Sequence, residues 1–104
     1  MIKFFKKLFR ASEKPDLKVF FNEGALLVDV RSPQEYAQFK VKGSVNIPLD
    51  SIPNQLVKFK FRKHIIVFCR SGYRSSQAKA ILERNGFNNV VNGGTAGYVN
   101  QFIK

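Results

Sequence analysis

Ile65-Ile66-Val67-Phe68-Cys69-Arg70-Ser71-Gly72-Tyr73-Arg74-Ser75 is the stretch that decides how this chain folds. Its apolar start predicts a buried strand and the pattern from Ser75 onward predicts a helix, so the single cysteine falls on a strand-to-helix turn. A helix N-terminus presents unpaired backbone N–H groups and partial positive charge. Together with Arg70 and Arg74, such a turn is suited to stabilise an anion on sulfur. A free thiol titrates near ~8.5 and is about 3% ionised at neutral pH; helix N-termini and cations lower that pKa to roughly 3.5–7.5. Gly72 permits a positive φ, which lets successive N–H groups converge on one point. The competing reading is a small core cysteine closing a strand, the commoner fate of a lone Cys. The basic, glycine-containing turn and its following helix favour the nucleophile.

Downstream of the turn, a helix is predicted over 75–85, with Ala78, Ile81 and Leu82 on its buried side and Gly86 ending it. A last strand follows at 89–91, and after Gly93-Gly94 a closing helix over about 95–102 turns Val99 and Phe102 inward. Upstream, residues 15–22 predict a short helix ended by Gly24, with Leu17, Phe20 and Phe21 inward. Residues 25–30 are apolar enough for a strand covered on both faces. Ser32-Pro33-Gln34-Glu35 is a capping-box sequence with proline at the first helical position, predicting a helix over about 33–38. A short strand at 45–47 is halted by Pro48, and Ser51 is placed to cap a helix running to about Val57. Alternation of strands and helices predicts an α/β fold: a central parallel sheet with helices on both faces. Cys69 then lies just beyond a strand's carboxyl end, where such sheets bind ligands.

At 104 residues the chain allows one domain with a modest core, here residues 15–104, preceded by a basic arm at 1–14. One cysteine excludes an intramolecular disulfide and any two-cysteine relay. One histidine and one cysteine fall short of a zinc ligand set, so no metal and no cofactor are expected. The formal charge is +11, and residues 36–84 hold ten Lys or Arg against only Asp50 and Glu83. Such an excess raises the local concentration of small anions and suits an acidic protein partner. No RNA- or DNA-reading motif accompanies it, so specific nucleic-acid binding is not expected.

The arm Met1-Ile2-Lys3-Phe4-Phe5-Lys6-Lys7-Leu8-Phe9-Arg10 alternates cations with bulky apolar groups. It is too short and too charged to span a bilayer and lacks a secretory h-region, so the chain reads as cytoplasmic. Either the arm packs its phenylalanines on the domain or residues 1–10 make a weak contact with an anionic membrane surface. Packing is the favoured reading, because a ten-residue helix gains most of its stability from tertiary contacts.

The cysteine loop, together with Leu26-Leu27-Val28-Asp29-Val30-Arg31-Ser32-Pro33-Gln34-Glu35-Tyr36, Gly43-Ser44-Val45-Asn46-Ile47-Pro48 and Asn92-Gly93-Gly94, resembles the single-domain rhodanese sulfurtransferases. These blocks keep the family's order across about residues 15–104. The resemblance implies a catalytic Cys69 that takes a sulfane sulfur from a small anionic donor such as thiosulfate. As a persulfide, it would pass the sulfur to a separate thiol or other nucleophilic acceptor. Arg70, Ser71, Gly72, Tyr73, Arg74 and Ser75 form the corresponding substrate-binding loop, with Arg74 favoured as scaffold and Arg70 as donor contact. Ser75, like Ser71, is placed to donate its hydroxyl to the persulfide, and Ser75 is also placed to cap the helix; the two roles are compatible. Asp29 and Arg31 brace the site as a pair.

Rhodanese-fold phosphatases use a longer loop, with arginine six positions after the cysteine; here Arg74 is five positions on and Ser75 stands at the sixth. A phosphatase or arsenate reductase is therefore a third reading, after a noncatalytic module that docks an acidic partner or a membrane surface. Phe39-Lys40-Val41 stands where many family members have Gly-His-Ile, and Tyr98 stands near the family's frequent tryptophan. His64, the only histidine, precedes the central strand, whose four steps of rise span about 13 Å, and so sits at the opposite end from Cys69, too far for a general base.

Overall fold

The computed structural model describes residues 14–104. The expectations for residues 1–10 of the basic arm lie outside the described residues. From the amino end the elements are α1 (Lys18–Asn22), β1 (Leu26–Asp29), α2 (Pro33–Gln38), β2 (Val45–Asn46), 3-10 turns at Leu49–Asn54 and Leu56–Phe59, β3 (Ile65–Cys69), α3 (Tyr73–Arg84), β4 (Val90–Thr95) and α4 (Ala96–Asn100).

The four strands form one parallel sheet in the order β2-β1-β3-β4. From β1 the chain moves outward to β2, whereas from β3 it moves the opposite way to β4. The reversal opens a crevice beyond the carboxyl ends of β1 and β3, the place where open α/β sheets bind ligands. Asp29 ends one of these strands and Cys69 the other.

All five residues of β3 are buried, and their alternation divides the core in two. Ile65, Val67 and Cys69 face one layer with Ile52, Phe59, Ala78 and Leu82. Ile66 and Phe68 face the other with Leu17, Ala96 and Val99. The period of two thus turns the sulfur toward the α3 side of the sheet.

Three predicted elements differ most from what forms; others differ at their ends, α1 starting at Lys18 rather than 15 and α4 stopping at Asn100 rather than about 102. The segment expected as a helix capped by Ser51 is a pair of 3-10 turns that starts at Leu49 after Pro48, without a side-chain cap. Pro53 lies inside it, and its missing N–H and ring clash prevent a regular α-helical ladder. The helix expected from Ser75 begins at Tyr73, because Gly72 with φ 92° occupies the cap position itself. Ser75 therefore caps nothing and is free for another role. Strand β4 runs on to Thr95 rather than ending at 91, carried by a bulge at which Val67 pairs with Asn92 but Phe68 with Gly94.

Gly93 is the residue looped out by that bulge, and its lack of a side chain is required by packing. A Cβ there would stand 2.8 Å from Ile66 Cγ2 and 2.9 Å from Val99 Cγ2. Both neighbours are β-branched and buried, so neither methyl swings away easily. Gly93→Ala is expected to destabilise the domain by about 1–3 kcal/mol, whereas Gly97→Ala, whose Cβ has room, is neutral or slightly stabilising. Urea denaturation of the two variants checks this, and equal midpoints would contradict it.

Candidate active site

Cys69 is fully buried, yet its sulfur is well supplied with donors. The Gly72 N–H donates to Sγ at 3.0 Å, the Ser75 N–H at 3.4 Å, and Ser75 Oγ lies 3.5 Å away. The left-handed conformation of Gly72 bends the loop so that amides from the first turn of α3 look back at the strand end. Burial pushes the thiol's pKa up, but the Ser75 hydroxyl and the backbone N–H groups of Ser75, Ser71 and Gly72 pull it down, and the net shift is downward. The leading favourable contributions are hydrogen bonds from the loop amides and the Ser75 hydroxyl rather than the guanidinium groups.

Ser75 is buried and its single hydroxyl proton has three acceptors within reach. They are Asn92 Oδ1 at 2.7 Å, Gly72 O at 3.1 Å and Cys69 Sγ at 3.5 Å. Asn92 is held so that its amide Nδ2 donates to Gly72 O at 3.3 Å and its Oδ1 also accepts the Gly94 N–H at 2.9 Å. It thereby ties β4 to the cysteine loop and fixes where Ser75 Oγ sits. The sequence showed Asn92 only as part of the Asn-Gly-Gly block; its link to Ser75, 17 residues away, is tertiary.

Arg74 does not point at the sulfur. Its Nη1 and Nη2 donate to the two carboxylate oxygens of Glu35 at 2.7 and 3.0 Å, a bidentate pair joining α3 to α2. Glu35 is also the capping-box residue: its Oε1 accepts the Ser32 N–H at 3.0 Å, and its own N–H donates to Ser32 Oγ at 3.2 Å. The sequence disclosed the box and not the second duty. Hydrogen bonds from Arg74, with those from Ser32, pull the Glu35 pKa from 4.5 down to about 2.

A depressed carboxylate contributes stability in full above its ordinary pKa and loses it as pH falls through the folded value. Glu35→Gln is therefore expected to cost about 1–2 kcal/mol near neutrality, limited by the partial exposure of the pair. The difference from wild type should shrink as pH falls from about 4.5 to about 2. Thermal midpoints measured across that range check it; a pH-independent difference would argue that the carboxylate charge is idle.

Asp29 and Arg31 meet at the end of β1, both buried. Arg31 Nε donates to both carboxylate oxygens at 3.0 Å and Nη2 donates to Oδ2 at 2.7 Å, while the Arg31 backbone N–H donates to Oδ1 at 2.9 Å. Arg31 also donates to the Phe39 carbonyl, and Asn46 Nδ2 bridges the carbonyls of Asp29 and Arg31 at 2.9 and 3.0 Å. Phe39 thus serves through its backbone, and the side chain there is exposed.

Of the remaining loop residues, Arg70 and Tyr73 are exposed, and Ser71 Oγ accepts the Tyr73 N–H at 3.4 Å. The loop therefore brings Gly72 and Ser75 to the sulfur, sends Arg74 to Glu35, and leaves Arg70 in solvent. Beside Arg74 an open depression of about 430 Å³ is walled by Val30, Pro33, Pro48 and Leu49, with Asp50 at its edge. His64 sits at the far end of β3, bonded to Glu23 and edge-on to Phe20. Tyr98 packs against Phe102 and donates its hydroxyl to the Pro15 carbonyl.

A family model described as the Rhodanese-like domain matches residues 13–101. A protein named sulfurtransferase from Allochromatium vinosum is 35% identical over 81 residues, covering 78% of this chain and 76% of that one. The thiosulfate sulfurtransferase PspE of Escherichia coli is 38% identical over 69 residues, 64% of this chain and 66% of PspE. Among solved structures, a rhodanese with anions from E. coli superposes with a TM-score of 0.66 at 34% identity, over 72% of this chain and 91% of that one. A strand-end cysteine under helix amides, on a parallel sheet matched across residues 13–101, makes this chain a member of the rhodanese-like domain family.

Proposed function

We propose that this chain is a sulfurtransferase that carries sulfane sulfur on Cys69. The observation that carries the reading is the hydrogen bonding of Sγ by the Gly72 and Ser75 amides, which favours the thiolate and would equally cradle a terminal sulfur anion. Relatives named as sulfurtransferases support it.

In the first half-reaction the Cys69 thiolate attacks the outer sulfur of a donor such as thiosulfate. The new S–S bond forms with the thiolate's electron pair, and the donor's S–S bond breaks with its pair leaving on sulfite. In the second, an acceptor thiolate attacks the outer sulfur of the persulfide and Cys69 leaves as thiolate. No net oxidant is consumed, because the sulfur moves at constant oxidation state. Donor and acceptor must both reach this one sulfur, which the end of β3 and the loop amides enclose. Exposed Arg70 is the cation available to meet the anionic donor.

Mass spectrometry of the intact protein after thiosulfate treatment should show one added sulfur, removable by a small thiol and mapped to Cys69. Its absence with several sulfane donors would refute the proposal. The phosphatase reading is weakened by Arg74, whose guanidinium is occupied by Glu35 rather than free to clasp a phosphoryl group.

A further inference from the structure

At the opposite end of the sheet from Cys69, the loop that leads into β3 carries an unusual tip. Phe61 is fully exposed and holds φ 63°, the only non-glycine with positive φ among the described residues. A bulky residue in the left-handed region is strained, and among the described residues no packing of the ring offsets that strain. The loop is nevertheless held on both sides. Phe59 is wholly buried, and Asn89 Nδ2 donates to the carbonyls of Arg62 and Lys63 at 2.6 and 3.3 Å. The backbone is thus braced in a form that thrusts the ring outward.

Charge around the ring has one sign. Lys58, Lys60, Arg62 and Lys63 are all exposed, and Val57 adds a second exposed apolar side chain. Among the described residues, only Lys63 of the four has a carboxylate partner, Glu23 at 3.4 Å. No Asp or Glu occurs between Asp50 and Glu83. An apolar tip ringed by cations matches the interface of an anionic bilayer, where an aromatic ring enters below the headgroups and cations meet their phosphates. Single-stranded nucleic acid would instead call for successive aromatic platforms along a basic groove, and this loop offers one ring. No described helix is long and apolar enough to cross a membrane.

We infer that the 57–63 loop is a membrane-surface contact, with Phe61 inserted in the interface of an anionic bilayer and Lys58, Lys60 and Arg62 on its phosphates. This site is distinct from residues 1–10. Five residues of β3 separate its two ends, a rise of about 13 Å, so docking through the loop turns the Cys69 end of the sheet toward the aqueous phase.

The chain contains no tryptophan, so Phe61→Trp in the full chain introduces one emission that reports this position alone. With phosphatidylglycerol vesicles that emission should shift to the blue and be quenched by brominated acyl chains; with phosphatidylcholine vesicles it should not. Combining Lys58→Glu, Lys60→Glu and Arg62→Glu in that background should weaken binding by about 100-fold or more. In the otherwise native chain, Phe61→Ala should weaken vesicle sedimentation about tenfold. An aqueous emission in the presence of phosphatidylglycerol vesicles overturns the inference, even if the protein sediments, because another segment then carries the binding. A shift produced by single-stranded RNA or polyglutamate and not by vesicles overturns it in favour of that polyanion.

Discussion

Cys69→Ser is expected to abolish sulfur transfer, with a loss on the order of 10⁴-fold or more, and to remove the added-sulfur mass completely. The fold should survive, because serine is smaller than cysteine and the Gly72 and Ser75 amides can donate to oxygen as they do to sulfur. What vanishes is the nucleophile. A serine hydroxyl ionises far less readily than a thiol, and the loop amides and the Ser75 hydroxyl lower the pKa of Cys69 further against the opposing effect of burial. Unchanged thermal stability with no turnover is the expected pair of results. His64→Ala provides the contrast: its ring bonds Glu23 at the other end of β3, so turnover should persist. Substantial turnover by Cys69→Ser would mean that the sulfur is handled elsewhere.

Asp29→Ala should be the most damaging single change to stability, at about 3–5 kcal/mol. The Arg31 side chain is 8% exposed and would be left charged in the crevice wall without its carboxylate, while the Arg31 backbone N–H would lose its acceptor. That loss is a large fraction of the folding free energy of a typical domain, roughly 5–15 kcal/mol. Substituting both partners by apolar residues, as Asp29→Ala with Arg31→Met, should recover much of the loss. Recovery is incomplete because the backbone N–H stays unpaired. Urea midpoints of the single and double variants decide it, and a double variant worse than the single would contradict the stranded-charge explanation.

Local signals carried far in this chain, and tertiary ones did not. The capping box at Ser32 and Glu35 was legible because both partners lie within one helical turn, and α2 forms over Pro33–Gln38 as its spacing requires. The continuous apolar run of β3 and the cysteine that ends it are equally plain, since burial on both faces leaves no room for a polar residue. α3 starts two residues before Ser75, because its cap is Gly72 in a left-handed conformation rather than serine, the commoner cap residue. A helix capped by Ser51 would hold Pro53 in its first turn, where proline is tolerated; because the segment starts at Leu49, Pro53 falls beyond that turn and 3-10 turns form instead. Glu35 with Arg74 and Ser75 with Asn92 were beyond reach: partners 39 and 17 residues apart are set by how α2, α3 and β4 converge on the crevice. The bulge at Gly93 aims Asn92, and no periodicity announces it.

Cys69 closes the most enclosed strand of the sheet and is the protein's only thiol. Its sulfur has no swinging arm and no second thiol to receive what it picks up, so under the proposed chemistry donor and acceptor must use the same space at different times. Each excludes the other while it is there. The catalytic rhythm is then alternation at one fixed point, and its tempo belongs to the order in which molecules arrive and depart.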